Sequence, residues 1–217
     1  MKNQKALSRV MNRTIIGAVF FLILNHSALA GVFAELSVNQ ASEPTVNLAV
    51  LTEDVWHVAG FFGQRRYATD DVALVHTYMA GGIGYRWYGD WTGNLLLGLE
   101  NSGVNQGGQG MGVRYQGAYS QLMLMKFFER HRLDYIFSYS QNSGEIWSRL
   151  RASQLLDSGY RLGPEVIVSK FLGHNFEAVG LVVEDQVDSV TIAGKLGVEK
   201  VNSNTRGYLG VEMYRSF

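Results

Sequence analysis

Charged side chains recur at every second position in several segments of this sequence, and they are the residues best able to do chemistry. The positions between them are apolar or aromatic, as in Arg149-Leu150-Arg151. Such alternation puts the charged groups on one face of a β-strand and the apolar groups on the other. Arginines and carboxylates on one face can bind a polar saccharide, bind a lipid headgroup or neutralise one another. The residues with this pattern are Arg86, Arg114, Asp134, Arg149, Arg151 and Glu165, together with Glu177, Lys195 and Glu212.

A protein interior that holds these charges must pair them, because an unpaired charge buried away from water is very costly. Two arrangements satisfy this requirement. One is a network of ion pairs and water that fills and stiffens the interior; the other is a wet path lined by the charges. The stiffening network is the favoured interpretation, and the wet path stays open as the alternative.

A serine hydrolase is the second chemistry to consider. It needs a serine nucleophile beside a histidine base that an acidic or amide group orients. Beyond residue 30 the histidines are His57, His76, His131 and His174, and no local pattern links one of them to a serine. The sequence therefore predicts no catalytic residue.

Cofactor and metal sites are not predicted either. The sequence has no HExxH motif, no glycine-rich phosphate loop and no EF-hand spacing, and it has no cysteine for thiolate ligation. The acidic doublets Asp70-Asp71 and Glu184-Asp185 have two interpretations: contact with a divalent ion at the lipopolysaccharide surface, and solvated loop charges, which is the favoured one. The 19 basic and 19 acidic residues are not the charge profile of a nucleic-acid-binding protein.

The amino terminus has the three parts of a secretory signal peptide. Basic residues between Lys2 and Arg13 precede the apolar run 15–24, which Ala28-Leu29-Ala30 follows. The run is only about half the ~20 residues that a spanning helix needs, so the pattern predicts export with cleavage after Ala30. The predicted organisation is a signal peptide over 1–30 and a single domain over 31–217.

The rest of the chain alternates with the period of two that is typical of β-strands. Prolines number only two, glycines 25, and aromatic residues reach 12%. A membrane-spanning chain with a mean hydropathy of −0.02 must be a closed barrel. We count twelve candidate strands, with ten as the alternative because the first hairpins are weakly separated: 32–40, 45–52, 55–63, 73–88, 91–101, 111–128, 132–141, 145–155, 160–171, 176–184, 189–199 and 206–217.

Connection lengths and the aromatic last residue support a barrel in the outer membrane of a Gram-negative bacterium. Such barrels combine short periplasmic turns with longer extracellular loops. If both termini are periplasmic, the long connections 64–71 and 101–110 are extracellular, and the aromatic residues between Tyr85 and Trp91 flank a periplasmic turn. Phe217 ends the last predicted strand. The predicted fold is all-β: an antiparallel, up-and-down transmembrane β-barrel in contact with outer-membrane lipid.

The sharpest local feature is Gly163-Pro164-Glu165. A proline inside a barrel strand removes one inter-strand hydrogen bond, so a strand start, a bulge or a kink is predicted here. Such an irregularity can redirect the side chain that follows it, which is Glu165.

Two nearby segments, 147–153 (WSRLRAS) and 161–165 (RLGPE), resemble the cellulose-biosynthesis protein family BcsS. The resemblance implies an exported protein associated with cellulose secretion, and it supplies no catalytic residue. The family-like positions are Arg149, Arg151, Gly163, Pro164 and Glu165.

These observations together predict a non-catalytic outer-membrane barrel that is accessory to the production or export of cellulose or another exopolysaccharide. Its expected partners are outer-membrane lipid and the polysaccharide or its secretion machinery, with no nucleic acid and no cofactor. Two alternatives stay open: a membrane-embedded hydrolase or acyltransferase that modifies lipid, and a passive small channel or structural barrel.

Overall fold

The computed structural model describes residues 31–39, 44–51, 55–68, 73–106, 112–171 and 173–215. The predicted signal peptide over 1–30, the doublet Asp70-Asp71 and Phe217 lie outside these ranges. Within them, no helix is long and apolar enough to cross a membrane.

In the described ranges, twelve antiparallel strands form a closed barrel, which confirms the predicted count over the alternative of ten. Each strand pairs with its neighbours in sequence, and the first strand pairs with the last, from Val32–Arg215 to Asn39–Tyr208. The strands are β1 Gly31–Asn39, β2 Pro44–Leu51, β3 Trp56–Ala68, β4 Ala73–Trp87, β5 Thr92–Gln106, β6 Val113–Phe128, β7 His131–Ser140, β8 Ile146–Leu155, β9 Arg161–Phe171, β10 His174–Val187, β11 Val190–Val201 and β12 Asn204–Arg215.

The outer surface of the barrel is an apolar band with polar limits. Alternate residues are buried in the lumen, as in β9, and the residues between them are exposed on the outside. On β10 the outward residues Val179, Leu181 and Val183 lie between the exposed Glu177 and Asp185. Exposed aliphatic side chains bounded by charges match a wall that faces hydrocarbon.

The barrel end at which β1 begins and β12 ends is here called the terminus side, and the opposite end is called the loop side. An aromatic belt surrounds part of the terminus side. Trp56 and Tyr85 contact each other with ring centroids 4.9 Å apart. Lys126 Nζ lies 5.4 Å from the ring of Trp91 and 5.0 Å from that of Phe128. Aromatic rings with polar tips and long cationic side chains both favour the membrane–water interface. The belt includes the aromatic cluster that the sequence predicts around the turn after β4.

Pro164 lies inside β9, where it interrupts the ladder with β8. The register runs from Ile146–Lys170 to Arg151–Glu165 and resumes only at Gln154–Leu162. The ladder between β9 and β10 continues unbroken through Pro164–Leu181. Because proline has no N–H to donate, the irregularity predicted here is a gap in one ladder rather than a strand start.

The β4 and β5 backbones approach closely at a pair of glycines. A Cβ added to Gly82 would lie 2.2 Å from the carbonyl oxygen of Leu97, and one added to Gly98 would lie 2.2 Å from that of Gly81. Neither contact can be relieved by a side-chain rotation, because each involves backbone.

Gly98→Val is therefore expected to destabilise the barrel by about 1–3 kcal/mol, the usual effect of overpacking. Gly194→Val is the matched control, because a Cβ at Gly194 meets nothing within 4 Å and valine suits a strand. Urea unfolding of both variants in detergent, followed by tryptophan fluorescence, measures the difference. Equal unfolding midpoints would contradict the close approach of β4 and β5.

Candidate functional site

The most distinctive feature of the lumen is a set of buried, mutually paired charges, here called the ion-pair layer. It joins seven consecutive strands around the closure of the barrel, from β7 through β12 to β1. Its members alternate with outward apolar residues, so the period-two pattern of the sequence puts them on the lumenal face. They are the basic residues Arg132, Arg149, Arg151 and Lys195 and the acidic residues Glu35, Asp134, Glu165, Glu184 and Glu212.

Arg151 is the centre of this layer, because its guanidinium contacts three carboxylates. Nε donates to Glu165 Oε2 at 3.1 Å, Nη1 to Glu184 Oε1 at 3.0 Å and Nη2 to Glu212 Oε2 at 2.8 Å. Arg151 is about 2% exposed, and Glu165 and Glu212 are fully buried. The planar fork of five N–H donors makes arginine suited to such multiple pairing.

Two further arginines extend the layer across the lumen. Arg132 donates to Asp134 at 2.7 Å, to Glu184 at 2.6 Å and to the hydroxyl of Tyr214 at 3.3 Å. Arg132 is on β7 and Tyr214 on β12, with four strands between them. Arg149 donates to Glu212 at 3.1 Å. Contacts between strands that are not neighbours show that side chains bridge the lumen at this level.

Lys195 neutralises the seam where the barrel closes. Glu35 of β1 stands directly opposite Glu212 of β12, and like charges in this relation destabilise a sheet. Lys195 Nζ donates to both carboxylates, at 3.0 Å to Glu212 Oε1. The closing strand pair therefore depends on a cation from a third strand.

A second layer of contacts, here called the apolar layer, bridges the lumen on the loop side. Val104, Phe171 and Val201 pack together, with Tyr115 and Phe176 against them. The ring of Phe171 also stacks on His76, with centroids 4.1 Å apart and planes 18° apart. These two residues are on β9 and β4, again with four strands between them.

Burial distinguishes a packed lumen from a wet path. His76, Phe171, Glu165 and Glu212 are each at most about 1% exposed. Side chains that line an aqueous channel, as in wide porin barrels, keep one surface in water. The two layers therefore favour the stiffening network over the wet path.

Most of the predicted lumenal residues meet in the ion-pair layer. Asp134, Arg149, Arg151 and Glu165 belong to it, and so do Lys195 and Glu212. Arg86 is also buried, but it lies on the far wall of the barrel, where β4 places it opposite Asn94 of β5.

The prediction that Arg114 and Glu177 face the lumen is wrong. Both are exposed, and the buried residues of their strands, such as Tyr119 and Ala178, have the opposite phase. Both charges lie towards the loop-side ends of their strands, beyond the apolar band. An outward position there can hold a charge, because it no longer meets hydrocarbon.

Three members of the layer were not identified as lumenal from the sequence. The interpretation of Glu184 as a solvated loop charge is wrong: it is buried and contacts both Arg132 and Arg151. It follows the same phase as the buried Ala178 and Val182, which is opposite to the phase implied by a lumenal Glu177. Arg132 and Glu35 fall within the predicted strands 132–141 and 32–40, but neither is among the predicted lumenal charges.

The histidines do not form a common site. His57 and His76 are buried, His131 is exposed, and His174 Nδ1 lies 2.9 Å from the side-chain amide of Asn202. His76 Nδ1 is 3.8 Å from Glu145 Oε2.

Ser140 and Ser143, which precede Glu145 in the chain, bond to each other and to the backbone. Ser143 Oγ donates to Ser140 Oγ at 2.7 Å and accepts from the N–H of Glu145 at 3.3 Å. Neither bond involves a histidine. In the described ranges, no three histidine, aspartate or glutamate side chains are grouped to hold a metal ion.

Arg151→Met is expected to lower the free energy of unfolding by about 3–5 kcal/mol, because it leaves buried carboxylates without their cation. Arg130→Met is the matched control: Arg130 pairs with Asp157, but the two side chains are 51% and 92% exposed. Loss of such a surface pair should cost less than about 1 kcal/mol. Denaturant unfolding in the same detergent compares them, and equally small effects would contradict a structural role for the layer.

No protein-family model matches the sequence, and a search of curated proteins finds no match. Among solved structures, the chain is similar to LpxR from Salmonella typhimurium, at 8% identity and a TM-score of 0.53 over 86% of this chain and 100% of that one. It is also similar to the KdgM porin in complex with disordered oligogalacturonate (8%, TM-score 0.48, 86% and 99%). The translocator domain of the autotransporter NalP from Neisseria meningitidis is a further neighbour (13%, TM-score 0.44, 100% and 98%). The chain thus has the fold of the bacterial outer-membrane β-barrels.

Proposed function

We propose that this protein is a non-catalytic outer-membrane β-barrel with a closed lumen, accessory to the production or export of cellulose or a related exopolysaccharide. The observation that supports the proposal most is the ion-pair layer. Of the four charged positions in the segments that resemble the cellulose-biosynthesis family, three belong to this layer: Arg149, Arg151 and Glu165. The segments that resemble that family therefore supply charges to the ion-pair layer, which bridges the lumen.

The packed lumen bears on how such a protein would act. A polysaccharide chain needs a continuous wet path, and here two layers of contacting side chains bridge the lumen. The barrel would therefore act beside the export route, as an organiser or anchor in the outer membrane, rather than as the route itself. Its expected contacts are lipid along the apolar band and the secretion machinery or the polymer at its two ends.

Deletion of the gene in the bacterium that encodes it is expected to lower extracellular cellulose several-fold. Cellulose synthase activity of isolated membranes should be unchanged, because the barrel does not catalyse polymerisation. The measurement is enzymatic quantification of cellulose in the deletion strain, with and without the gene restored.

Deletion of an unrelated outer-membrane barrel of similar size controls for general damage to the envelope. An unchanged cellulose yield, or an equal loss in the control strain, would exclude the accessory role. The barrel fold itself is tested separately by gel electrophoresis in detergent, because a folded barrel migrates differently before and after heating.

A further inference from the structure

Aromatic side chains on the outer wall are confined to one part of the barrel. They occupy outward positions of β3, β4, β6 and β7, among them Trp56, Tyr85, Phe128, Tyr135, Phe137 and Tyr139. The outward positions of β8 to β12, within the described ranges, carry none, and Tyr160 lies in the turn before β9. Barrels surrounded by lipid carry girdles of aromatic residues at both interfaces. Five neighbouring strands without such residues do not have the composition of a wall that meets lipid headgroups.

The wall formed by β8 to β12, here called the aliphatic wall, presents an apolar surface. Its exposed side chains include Val168, Val179, Leu181, Leu196 and Leu209. Such a surface can pack against hydrocarbon or against another protein, and homodimer interfaces are the most apolar of protein contact surfaces. Because the aromatic girdle stops at this wall, the protein contact is favoured here.

An acidic and a basic side chain stand side by side at the loop-side limit of the aliphatic wall. Glu177 of β10 is directly opposite Lys200 of β11 in the register, and both are exposed. In the described part of the chain, no ion pair joins them or ties either one to another residue. Both charges are therefore available to a partner outside the barrel.

This pair of charges is complementary to itself. Two copies in one membrane share their orientation, so a two-fold axis that relates them is parallel to the membrane normal. An axis that passes between Glu177 and Lys200 puts each Glu177 beside the partner's Lys200. Opposite charges placed in this way select a partner and fix its orientation. A different protein would have to supply the same two charges, whereas a second copy has them already.

We propose that the aliphatic wall is the contact surface of a symmetric homodimer, in which Glu177 of each copy pairs with the partner's Lys200. Val179 is the next outward residue of β10 towards the middle of the apolar band, so it lies close to the two-fold axis. The remaining wall, with its aromatic residues, then faces lipid. The inference is independent of the proposed role in cellulose production, because it concerns only the outer wall.

Thiol cross-linking in isolated membranes tests the proposal, because the chain has no cysteine of its own. The reagent is a bismaleimide whose spacer spans about 10 Å, the distance between two sheets packed face to face. Val179→Cys is expected to give a linked species with the mass of two copies. Leu97→Cys is the matched control, because Leu97 is exposed on β5, outside the aliphatic wall, and it should give no linked species.

Charge reversal distinguishes a contact between copies from a contact within one copy. In the Val179→Cys background, Glu177→Lys or Lys200→Glu alone creates two repulsive pairs in every dimer and is expected to lower the linked fraction several-fold. Co-expression of the two variants is expected to restore it, because a mixed dimer has two attractive pairs. A pair within one chain cannot be restored in this way. Lys170→Glu, a reversal at an exposed position near the loop-side end of β9, is the control and should leave the linked fraction unchanged.

Gel migration before and after heating verifies that every variant is folded. Three results would overturn the inference: no linked species from Val179→Cys, an equal yield from Leu97→Cys, or no recovery when the two charge variants are co-expressed. A linked species that contains a different protein would also overturn it, since the wall would then be the contact surface of another partner.

Discussion

The structure depends most on the pairing of buried charge across the lumen. Arg151 contacts carboxylates from three strands, and Lys195 holds together the two glutamates that face each other at the closing strand pair. An unpaired charge at these buried positions would cost several kcal/mol. The register of β8 to β12 and of β1 must therefore be the one that brings the charges together. A shift by one residue would turn every charge outward to lipid.

The gap in the ladder at Pro164 is adjacent to this network. The β8–β9 hydrogen bonds stop at the pair Arg151–Glu165, which is also the pair that the buried guanidinium and carboxylate join. Side-chain ion pairing thus continues to link the two strands where backbone pairing is interrupted. We infer that the network and the proline are parts of one local arrangement, which explains why both occur in the same short segment of the sequence.

Alternation was sufficient to predict much of this molecule. It predicted the all-β fold, the twelve strands and the burial of Arg149, Arg151 and Glu165, because a period of two has few other structural meanings. It failed at Arg114 and Glu177. At these positions the outer wall extends beyond the hydrocarbon, so an outward side chain can be as polar as an inward one, and polarity no longer identifies the lumenal face. The apolar layer could not be predicted, because the contact of Phe171 with His76 joins residues 95 positions apart on opposite walls. Barrel closure sets such contacts, and local sequence does not reveal them.

The lumen is closed at two levels, by the ion-pair layer and by the apolar layer. Single-channel recording in planar lipid bilayers tests this closure most directly. The folded full chain is inserted into the bilayer, and a protein assay verifies the amount inserted. A closed lumen predicts no stepwise conductance above that of the bare bilayer in simple salt solutions. Reproducible ohmic steps from protein shown to be folded would contradict the closed lumen and would restore the wet path as the function of the buried charges.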